Sequence, residues 1–530
     1  MFSFPITSIL KRALKKGLTP SHKGSNKYLP TGVKGHISVL VYKSGMTKLN
    51  AYQKKAVERA LKAEKVFLIH GPPGTGKTTT LVECIKRLAQ EGYKVLATAD
   101  SNVAVDNLVE RLVRENVKVV RVGNPVRVLK TIQRHTLDYL VQFEPEFDKA
   151  RKIYEEIDNL KEEQKKYVKP EPRYRRGLSD EEILKRAKTG TPVRGLSPKI
   201  LRSMAKWIKL QEKVKELYEK AKKEEEKAVN KILSRAQVVC TTNSTAGSEV
   251  LQNLNFDVVI IDEATQATEP SCLIPLIKGK KLIMAGDHKQ LPPTVLSQEA
   301  QEALSYTLFE RLLDLYGEEI YEILRIQYRM NKKIMEFSNK MFYEGKLIAD
   351  KSVENHTIKD LINPEKLKEI PEPFKSVLEP EKVVVFINVR GKEKQRRGST
   401  SFYNEEEAKV AVKIVEYLMK IGLRSEHIGV ISPYEDQVNF LEELLKDFEV
   451  EVKTVDGFQG REKEVIIISF VRSNEKGEIG FLKDYRRLNV ALTRARRKLI
   501  TLGNEKTLSS DEVYKQFIGY VKSIGGYINI

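Results

Sequence analysis

Cysteine is scarce in this chain, and no two cysteines lie close together. Only three occur among the 530 residues, at Cys84, Cys240 and Cys272. Zinc and redox sites built from cysteine pairs need two thiols a few residues apart. We therefore expect no zinc or iron–sulfur centre formed by this chain alone.

Long apolar runs are missing as well. A helix that crosses a membrane needs roughly 20 consecutive apolar residues, and the sequence contains no such stretch. At its start, MFSFPITSILKRALKK places its charges after a short apolar segment, which is the reverse of a secretory signal. These features predict a cytoplasmic protein without a membrane partner.

Acidic residues are outnumbered by basic ones. Lys and Arg total 93 against 72 for Asp and Glu, which gives a formal net charge of +21 and a pI near 9.4. Such a surplus is typical of a protein that binds the phosphate backbone of nucleic acids, although composition alone also fits a basic soluble protein. The length predicts two or more domains, because single cores rarely grow beyond about 250–300 residues.

Apolar strands alternate with helical segments, which is the pattern of an α/β protein with doubly wound parallel sheets. Two series of strands predict two lobes, a first at residues 47–143 and 236–319 and a second at 320–530, after an N-terminal appendage at 1–46. The charge-dense segment 144–235 predicts two long antiparallel helices inserted in the first lobe. Their charged faces are open to two interpretations, a solvated surface or a nucleic-acid contact.

A glycine-rich loop follows the apolar strand VFLIH. The segment GPPGTGKTTT matches the phosphate-binding loop at Gly71, Gly76, Lys77 and Thr78, with a strand before it and a helix after it. The glycines let backbone N–H groups turn toward phosphate oxygens, Lys77 reaches the β and γ phosphates, and the Thr78 hydroxyl can bind Mg²⁺. We therefore predict ATP and Mg²⁺ as cofactors.

Two further segments end strands at the edge where a parallel sheet binds ligands. In FDVVIIDEATQA, Asp262 is placed to hold Mg²⁺, and Glu263 is placed to orient and deprotonate the attacking water. In LIMAGDHKQLPPTV, Asp287 and Gln290 lie on a loop. Gln290 is the residue expected to respond to the γ phosphate.

Motifs in a fixed order carry a resemblance to a known family. HGPPGTGKTTT, IIDEATQA, GDHKQLPP, LRIQYRMN, TVDGFQGREKEVII and RRLNVALTRAR resemble those of the superfamily 1 helicases, in the branch of the nonsense-mediated-decay RNA helicase and the immunoglobulin-mu-binding helicase. The resemblance spans about residues 47–505. It implies two RecA-like lobes with ATP between them, and a monomeric ATP-dependent helicase or translocase that moves 5′ to 3′ along single-stranded RNA or DNA.

The resemblance also implies roles for residues around the nucleotide. Gln53 would read the adenine edge, Tyr328 would stack on the base, and Glu462 would hold the ribose side. Arg329 and Arg494 would reach from the second lobe to the γ phosphate, which fits the bidentate geometry of a guanidinium. The phosphate cradle would comprise Gly74, Thr75, Gly76, Lys77, Thr78 and Thr79.

For the nucleic-acid track, the resemblance implies contacts with the sugar–phosphate backbone. From the first lobe they would come from Ser101, Asn102 and Thr241. From the second lobe they would come from Pro433, Tyr434 and Thr454, although Tyr434 fits a core position equally. Such contacts position a strand without reading its sequence.

Two other functions keep the same ATP site. One is a phosphate-loop ATPase whose partner is a protein, and the other is an ATP-gated clamp on RNA or DNA that neither walks nor unwinds. The TVDGFQG and TRAR segments favour the motor.

Family members usually carry a β-barrel before the motif that contains Gln53, and the 46 residues here are too few for one. The choice between RNA and DNA depends on 2′-hydroxyl contacts that a sequence does not show.

Overall fold

The computed structural model describes residues 49–123 and 130–530 of the chain. The predicted appendage at residues 1–46 lies outside the described residues. Within the described ranges, no helix is long and apolar enough to cross a bilayer.

The β-strands of the described residues form two main parallel sheets. They are β1 Val66–His70, β2 Val95–Ala99, β3 Val119–Arg121, β4 Val238–Thr242, β5 Phe256–Asp262, β6 Gly279–Gly286, β7 Tyr321–Ile323, β8 Ile326–Gln327, β9 Ile348–Ala349, β10 Val384–Asn388, β11 Ile428–Ser432, β12 Glu451–Thr454, β13 Lys463–Ser469, β14 Ala495–Gly503 and β15 Tyr527–Asn529. One sheet has the order β3-β4-β2-β5-β6-β1-β7 and the other β12-β11-β13-β14-β10-β15, and β8 pairs with β9. The predicted fold class, α/β with two parallel-sheet lobes, is confirmed.

Helices connect these strands. They are α1 Ala51–Lys62, α2 Lys77–Gln90, α3 Asn102–Arg114, α4 Lys130–Gln133, α5 Leu137–Leu140, α6 Pro145–Gln164, α7 Pro172–Arg175, α8 Asp180–Thr189, α9 Pro198–Arg235, α10 Asn243–Ala246, α11 Glu269–Leu276, α12 Gln298–Ser305, α13 Leu308–Tyr316, α14 Lys332–Phe342, α15 Pro364–Lys368, α16 Phe374–Leu378, α17 Glu405–Lys420, α18 Glu435–Leu445, α19 Tyr485–Leu492, α20 Glu505–Leu508 and α21 Glu512–Ser523. Local signals explain their starts, as at α1, where Asn50 and Gln53 form a reciprocal capping box.

The apolar pattern locates strands well and their polar ends less well. The observed β1 and β11 coincide with the runs VFLIH and IGVIS. In contrast, β13 begins at Lys463, where it pairs with Ala495 of β14, and the register shifts between Lys463 and Val465. In β13 the polar residues before the apolar run join the sheet through backbone hydrogen bonds, which a hydrophobicity pattern does not detect.

The described chain divides into two compact units. Among the described residues, unit one comprises 85–123, 130–259 and Ile274–Lys280. Unit two comprises 49–84, Ile260–Leu273 and Lys281–Ile530. The division passes through α2, β5, α11 and β6. It follows a different course from the predicted lobe boundaries, which remain predictions.

Unit one contains the charged helical insertion. Along α6 and α9, Tyr154 donates to Glu225 at 3.1 Å and Gln164 donates to Gln211 at 3.0 Å, so the two helices run in opposite directions. The predicted antiparallel pair is confirmed. We call residues 145–165 and 207–235 the shaft, and residues 166–206 the tip. The tip has its own small apolar core around Ile183 and its neighbours.

Unit two is built around the six-stranded sheet, which is covered on both faces. Phe386 and Ile466 pack into one apolar cluster, whereas the adjacent Val385 and Ile467 pack into another. Alternate residues of a strand point to opposite faces, so near-continuous apolar runs are needed when both faces are buried. This explains why β10, β11 and β13 were readable from the sequence.

Candidate active site

The phosphate loop lies between β1 and α2, as predicted. Gly74 and Gly76 have left-handed backbone conformations, with φ of +75° and +78°, which L side chains rarely adopt. A Cβ added at Gly74 would lie 2.7 Å from Cβ of Arg329, and one at Gly76 would lie 2.5 Å from Nε2 of Gln53. Conformation therefore favours glycine at both positions, and at Gly74 the space beside Arg329 also requires it.

Lys77 meets the two acidic residues that end β5. Its Nζ lies 2.5 Å from Oε2 of Glu263 and 3.6 Å from Oδ1 of Asp262. The Thr78 hydroxyl donates to Oδ2 of Asp262 at 3.5 Å. The predicted phosphate ligand Lys77, the predicted metal ligands Thr78 and Asp262, and the predicted base Glu263 thus lie together beside the phosphate loop.

The charges in this cluster shift its pKa values. Burial lowers the pKa of Lys77, but the carboxylates of Glu263 and Asp262 outweigh burial and hold that pKa above its ordinary value. Burial raises the pKa of Glu263, against the opposing charge of Lys77, and Asp262 adds to the rise. A raised pKa brings a glutamate closer to the neutral range in which a general base works best.

The backbone of Glu263 is strained. Its φ is +51°, a left-handed conformation that costs a residue other than glycine roughly 1–3 kcal/mol and is retained mainly at functional sites. The backbone N–H of Glu263 donates to Oδ1 of Asp262 at 2.8 Å. The turn therefore holds the Asp262 carboxylate against the backbone of Glu263.

Gln290 links the loop after β6 to Arg494. Its Nε2 donates to Oδ2 of Asp287 at 2.7 Å, and its Oε1 accepts from Nη2 of Arg494 at 3.0 Å. Because a carboxylate only accepts and a guanidinium only donates, the amide has one possible orientation. Burial, together with the charge of Arg329, lowers the pKa of Arg494 to about 9. Gln290 and Arg494, which the sequence assigned to the first and the second lobe, are thus in contact within unit two.

Arg329 forms an ion pair with Glu462. Nε of Arg329 donates to Oε2 of Glu462, and its Nη1 donates to the carbonyl of Thr493 at 3.2 Å. Burial acts to raise the pKa of Glu462, but the charge and hydrogen bond of Arg329, together with the charges of Arg496 and Arg494, outweigh burial and hold that pKa below its ordinary value. The sequence did not indicate this pair, and the predicted roles of Arg329 at the γ phosphate and Glu462 at the ribose remain predictions.

The residues predicted to contact the base lie beside the phosphate loop. Gln53 is buried, and its Nε2 donates to the carbonyl of Thr75 at 3.0 Å. Tyr328 is exposed, its backbone N–H donates to the carbonyl of Gly74 at 2.9 Å, and its hydroxyl accepts from Nδ2 of Asn50 at 2.9 Å. The exposed ring of Tyr328 is therefore available for stacking. Asn50 was missed, although its capping-box spacing to Gln53 could have indicated it.

Other residues that the sequence did not indicate surround Asp287. His70 and Tyr343 are buried and bind its carboxylate, and Asn489 donates to the hydroxyl of Tyr343 at 2.8 Å. His70 and Asn489 lie inside the motifs HGPPGTGKTTT and RRLNVALTRAR, but their partners are distant in sequence. Tyr343 lies in no motif, so no signal identified it.

In unit one, the residues predicted to contact nucleic acid differ in exposure. Ser101 is exposed and caps α3, and Asn102 accepts from Nη2 of the buried Arg121 at 2.8 Å. Thr241 is fully buried in β4, and its hydroxyl donates to the carbonyl of Val122 at 3.0 Å. A contact through the Thr241 side chain is therefore not favoured, because the hydroxyl is committed to holding the strand.

In unit two, Pro433 and Thr454 are half-buried, whereas Tyr434 belongs to the core. The ring of Tyr434 packs edge-on against Phe402, with centroids 5.8 Å apart. The core interpretation of Tyr434 is therefore the one that the structure favours. Thr454 accepts from the backbone N–H of Gly457 at 3.2 Å.

Several known proteins are similar to this chain. An uncharacterised ATP-dependent helicase of Methanocaldococcus jannaschii is 50% identical over 90% of this chain and 71% of its own length. The DNA-binding protein SMUBP-2 of Rattus norvegicus is 38% identical over 90% of this chain and 45% of its own length. A regulator of nonsense transcripts 1 homolog of Neurospora crassa is 36% identical over 90% of this chain and 39% of its own length. The chain thus spans less than half of the last two relatives.

Two family models, each described as an AAA domain, match residues 48–298 and 304–506. Together they account for most of the chain. The resemblance carried by the motifs is confirmed by these matches and by the relatives above. The chain belongs to the superfamily 1 helicases, in the ATP-dependent group that includes SMUBP-2 and the regulator of nonsense transcripts.

Proposed function

We propose that unit two binds and hydrolyses Mg²⁺-ATP with the residues that converge around the phosphate loop. The observation that carries this proposal is the contact of Lys77 with Glu263 and of Gln290 with Arg494 in one compact unit. A phosphate ligand, a base, a polar sensor and a buried arginine are the parts that phosphoryl transfer to water needs.

The residues present fit a magnesium ion. Thr78 and Asp262 offer hard oxygen ligands, and their oxygens lie 3.5 Å apart. Thr78 and Asp262 would therefore hold the ion. When bound, it would neutralise charge on the β and γ phosphates.

The chain's own groups then have distinct tasks. Lys77 exchanges Glu263 for phosphate oxygens when ATP binds, which leaves Glu263 to accept a proton from the attacking water. The water oxygen bonds to the γ phosphorus as the bond to the β–γ bridging oxygen breaks. Gln290 and Arg494 donate to the γ phosphate, where a guanidinium stabilises the charge of the transition state.

Gly76→Ala is expected to weaken ATP binding at least tenfold. The substitution combines a left-handed strain of about 1–2 kcal/mol with a collision against the Gln53 amide, 2.5 Å from the added Cβ. Isothermal titration with ATP measures the effect. Gly92→Ala is the matched control, because Gly92 has a φ of +88° and a Cβ there meets nothing within 4 Å. Unchanged ATP affinity in Gly76→Ala would contradict the assignment of this loop.

We further propose that ATP turnover drives movement along single-stranded RNA or DNA in the 5′-to-3′ direction, with separation of paired strands. The family and the names of the relatives, a DNA-binding protein and a regulator of nonsense transcripts, support this proposal. The deciding experiment is strand displacement from substrates with 5′ or 3′ overhangs, each made as RNA and as DNA. Displacement only from 3′ overhangs would contradict the direction. The nucleic acid that supports faster displacement, RNA or DNA, identifies the track.

The alternative functions give different results in the same assays. An ATPase that acts on a protein partner shows no stimulation of turnover by an oligonucleotide. A clamp binds strands in a nucleotide-dependent way but displaces no paired strand.

We propose that the protein acts as a monomer in the cytoplasm. ATPase activity per molecule that rises with protein concentration would contradict the monomeric state.

The charge of the helical insertion favours a nucleic-acid contact at its tip. The shaft has 14 lysines and arginines against 13 aspartates and glutamates, whereas the tip has 12 against 4. Lys185, Lys188, Arg194 and Arg202 are exposed on the tip, and none has an acidic partner in the part of the chain that the structure describes. Unpaired positive charge concentrated on a small folded surface suits a phosphate backbone better than a merely solvated helix face.

Changing these four tip residues to Gln is expected to weaken oligonucleotide binding and to reduce its salt dependence. Removing one contact with a phosphate lowers the slope of log affinity against log salt by about 0.7 for single strands. Fluorescence anisotropy at several salt concentrations measures both quantities. The matched control replaces exposed shaft lysines, Lys152, Lys209, Lys215 and Lys223, with Gln. Equal slopes for the two variants would assign the tip to the solvated-surface interpretation.

A further inference from the structure

We propose that Tyr343 and His70 are positioning residues that hold Asp287, and through it Gln290 and Arg494, in the geometry that recognises the γ phosphate. This inference rests on the proposed ATP hydrolysis. It adds two residues that contact neither ATP nor the attacking water, and it states how they act.

Asp287 is the centre of the arrangement. Its buried carboxylate accepts four hydrogen bonds. Oδ1 accepts from Nε2 of His70 at 2.8 Å and from the backbone N–H of Lys289 at 3.0 Å, while Oδ2 accepts from Gln290 at 2.7 Å and from the hydroxyl of Tyr343 at 2.7 Å. Both oxygens are therefore saturated, and the carboxylate has no freedom to rotate.

His70 ties this carboxylate to the phosphate loop. It is the last residue of β1 and directly precedes Gly71. Its Nδ1 lies 2.5 Å from the hydroxyl of Tyr321, while its Nε2 binds Asp287. The imidazole is thus held at both nitrogens, so a displacement of the phosphate loop would be transmitted to Asp287.

Tyr343 ties the same carboxylate to the segment that carries Arg494. Its hydroxyl donates to Asp287 and accepts from Nδ2 of Asn489 at 2.8 Å. Asn489 lies in α19, and the neighbouring Val490 accepts from Nε of Arg494 at 2.9 Å. The contacts form a closed ring in which Asp287 reaches Arg494 by two routes, one through Gln290 and one through Tyr343 and α19.

The ring makes the orientation of Gln290 depend on Tyr343. The amide directs its oxygen at Arg494 only while its NH₂ group is held by Asp287. Without the Tyr343 hydroxyl, Oδ2 of Asp287 and the amide of Asn489 each lose a buried partner, and the carboxylate can turn to recover one. Gln290 and Arg494 would then no longer be aligned for the γ phosphate, although the phosphate loop would be intact.

The test is the affinity for ADP–aluminium fluoride relative to the affinity for ADP, with Mg²⁺ present. The affinity for ADP depends on the phosphate loop, and the additional affinity for aluminium fluoride depends on the groups at the γ position. We expect Tyr343→Phe to lower this ratio about tenfold, to bind ADP as the parent does, and to lower kcat for ATP with little change in KM. His70→Leu should share the effect, and His70→Gln should restore much of it, because its amide can donate to Asp287.

Tyr514→Phe is the matched control. Tyr514 is also buried in unit two, and the substitution also removes one hydroxyl, which donates to the carbonyl of Leu482 at 3.1 Å. A ratio within twofold of the parent in Tyr343→Phe, or an equal fall in Tyr514→Phe, would overturn the inference. If the parent itself binds ADP–aluminium fluoride no more tightly than ADP, the proposed hydrolysis fails, and this inference fails with it.

Discussion

Glu263→Gln is expected to lower ATP turnover by about 10²–10⁴-fold while ATP still binds. The substitution keeps the shape of the side chain and removes the proton acceptor, whose contribution to a reaction of this kind has that magnitude. Lys77 and the glycine loop, which we propose bind the phosphates, are unchanged. Steady-state ATPase assays give the rate, and titration with ATP gives the affinity.

A nearby acid provides the control for this experiment. Glu269 lies in the same segment of unit two and pairs with Arg311 at 2.9 Å, so Glu269→Gln is expected to hydrolyse ATP at close to the parental rate. Parental turnover in Glu263→Gln would show that another group takes the proton.

The pH dependence provides an independent check on Glu263. A base works only when it is deprotonated, so kcat/KM, which reports the groups of the free enzyme, should rise with pH through the pKa of Glu263. Because burial and Asp262 raise that pKa, the acid limb of the profile should lie above the range of an unperturbed glutamate, about 4.3. An acid limb at or below that range would contradict the role of Glu263 as base.

Arg494→Lys is expected to lower kcat by about 10³-fold or more, within the range of 10³–10⁵ for an arginine that stabilises the phosphoryl-transfer transition state. Arg494 donates to Gln290 through Nη2 and to Val490 through Nε, and a lysine ammonium cannot reproduce this planar fork. The measurement is kcat for ATP at saturating nucleotide and oligonucleotide.

Arg497→Lys controls for the loss of a guanidinium close by in sequence. Arg497 pairs with Glu464 at 2.8 Å and donates to the carbonyl of Thr357 at 2.7 Å, and it has no contact with the proposed site. We expect its turnover to stay close to that of the parent. A fall in kcat of less than tenfold in Arg494→Lys would show that Arg494 does not stabilise the transition state.

The sequence predicted those residues of the site whose side chains suit ATP hydrolysis and which also stand at or shortly after the end of a strand. Lys77 and Thr78 follow directly from a glycine loop after a strand, and Asp262 and Glu263 end another strand of the same sheet. Parallel topology brings the carboxyl ends of such strands to one edge. Their convergence in unit two is what that topology predicts.

The parts that the sequence did not predict depend on contacts between distant residues. Arg329 and Glu462 are 133 positions apart, and Tyr343 and Asn489 are 146 positions apart. Thr241 and Tyr434 have side chains that fit either a strand-binding loop or a core, and the sequence does not show that both are buried. Their contacts with nucleic acid remain predictions.

The proposed ATP site can be tested with a structure of the protein bound to ADP, Mg²⁺ and aluminium fluoride. We expect the Lys77 ammonium and the Arg494 guanidinium both to contact the fluoride group, with Glu263 within hydrogen-bond distance of the water opposite the leaving oxygen. A complex in which Arg494 still contacts only protein groups, and Glu263 remains paired with Lys77, would contradict it.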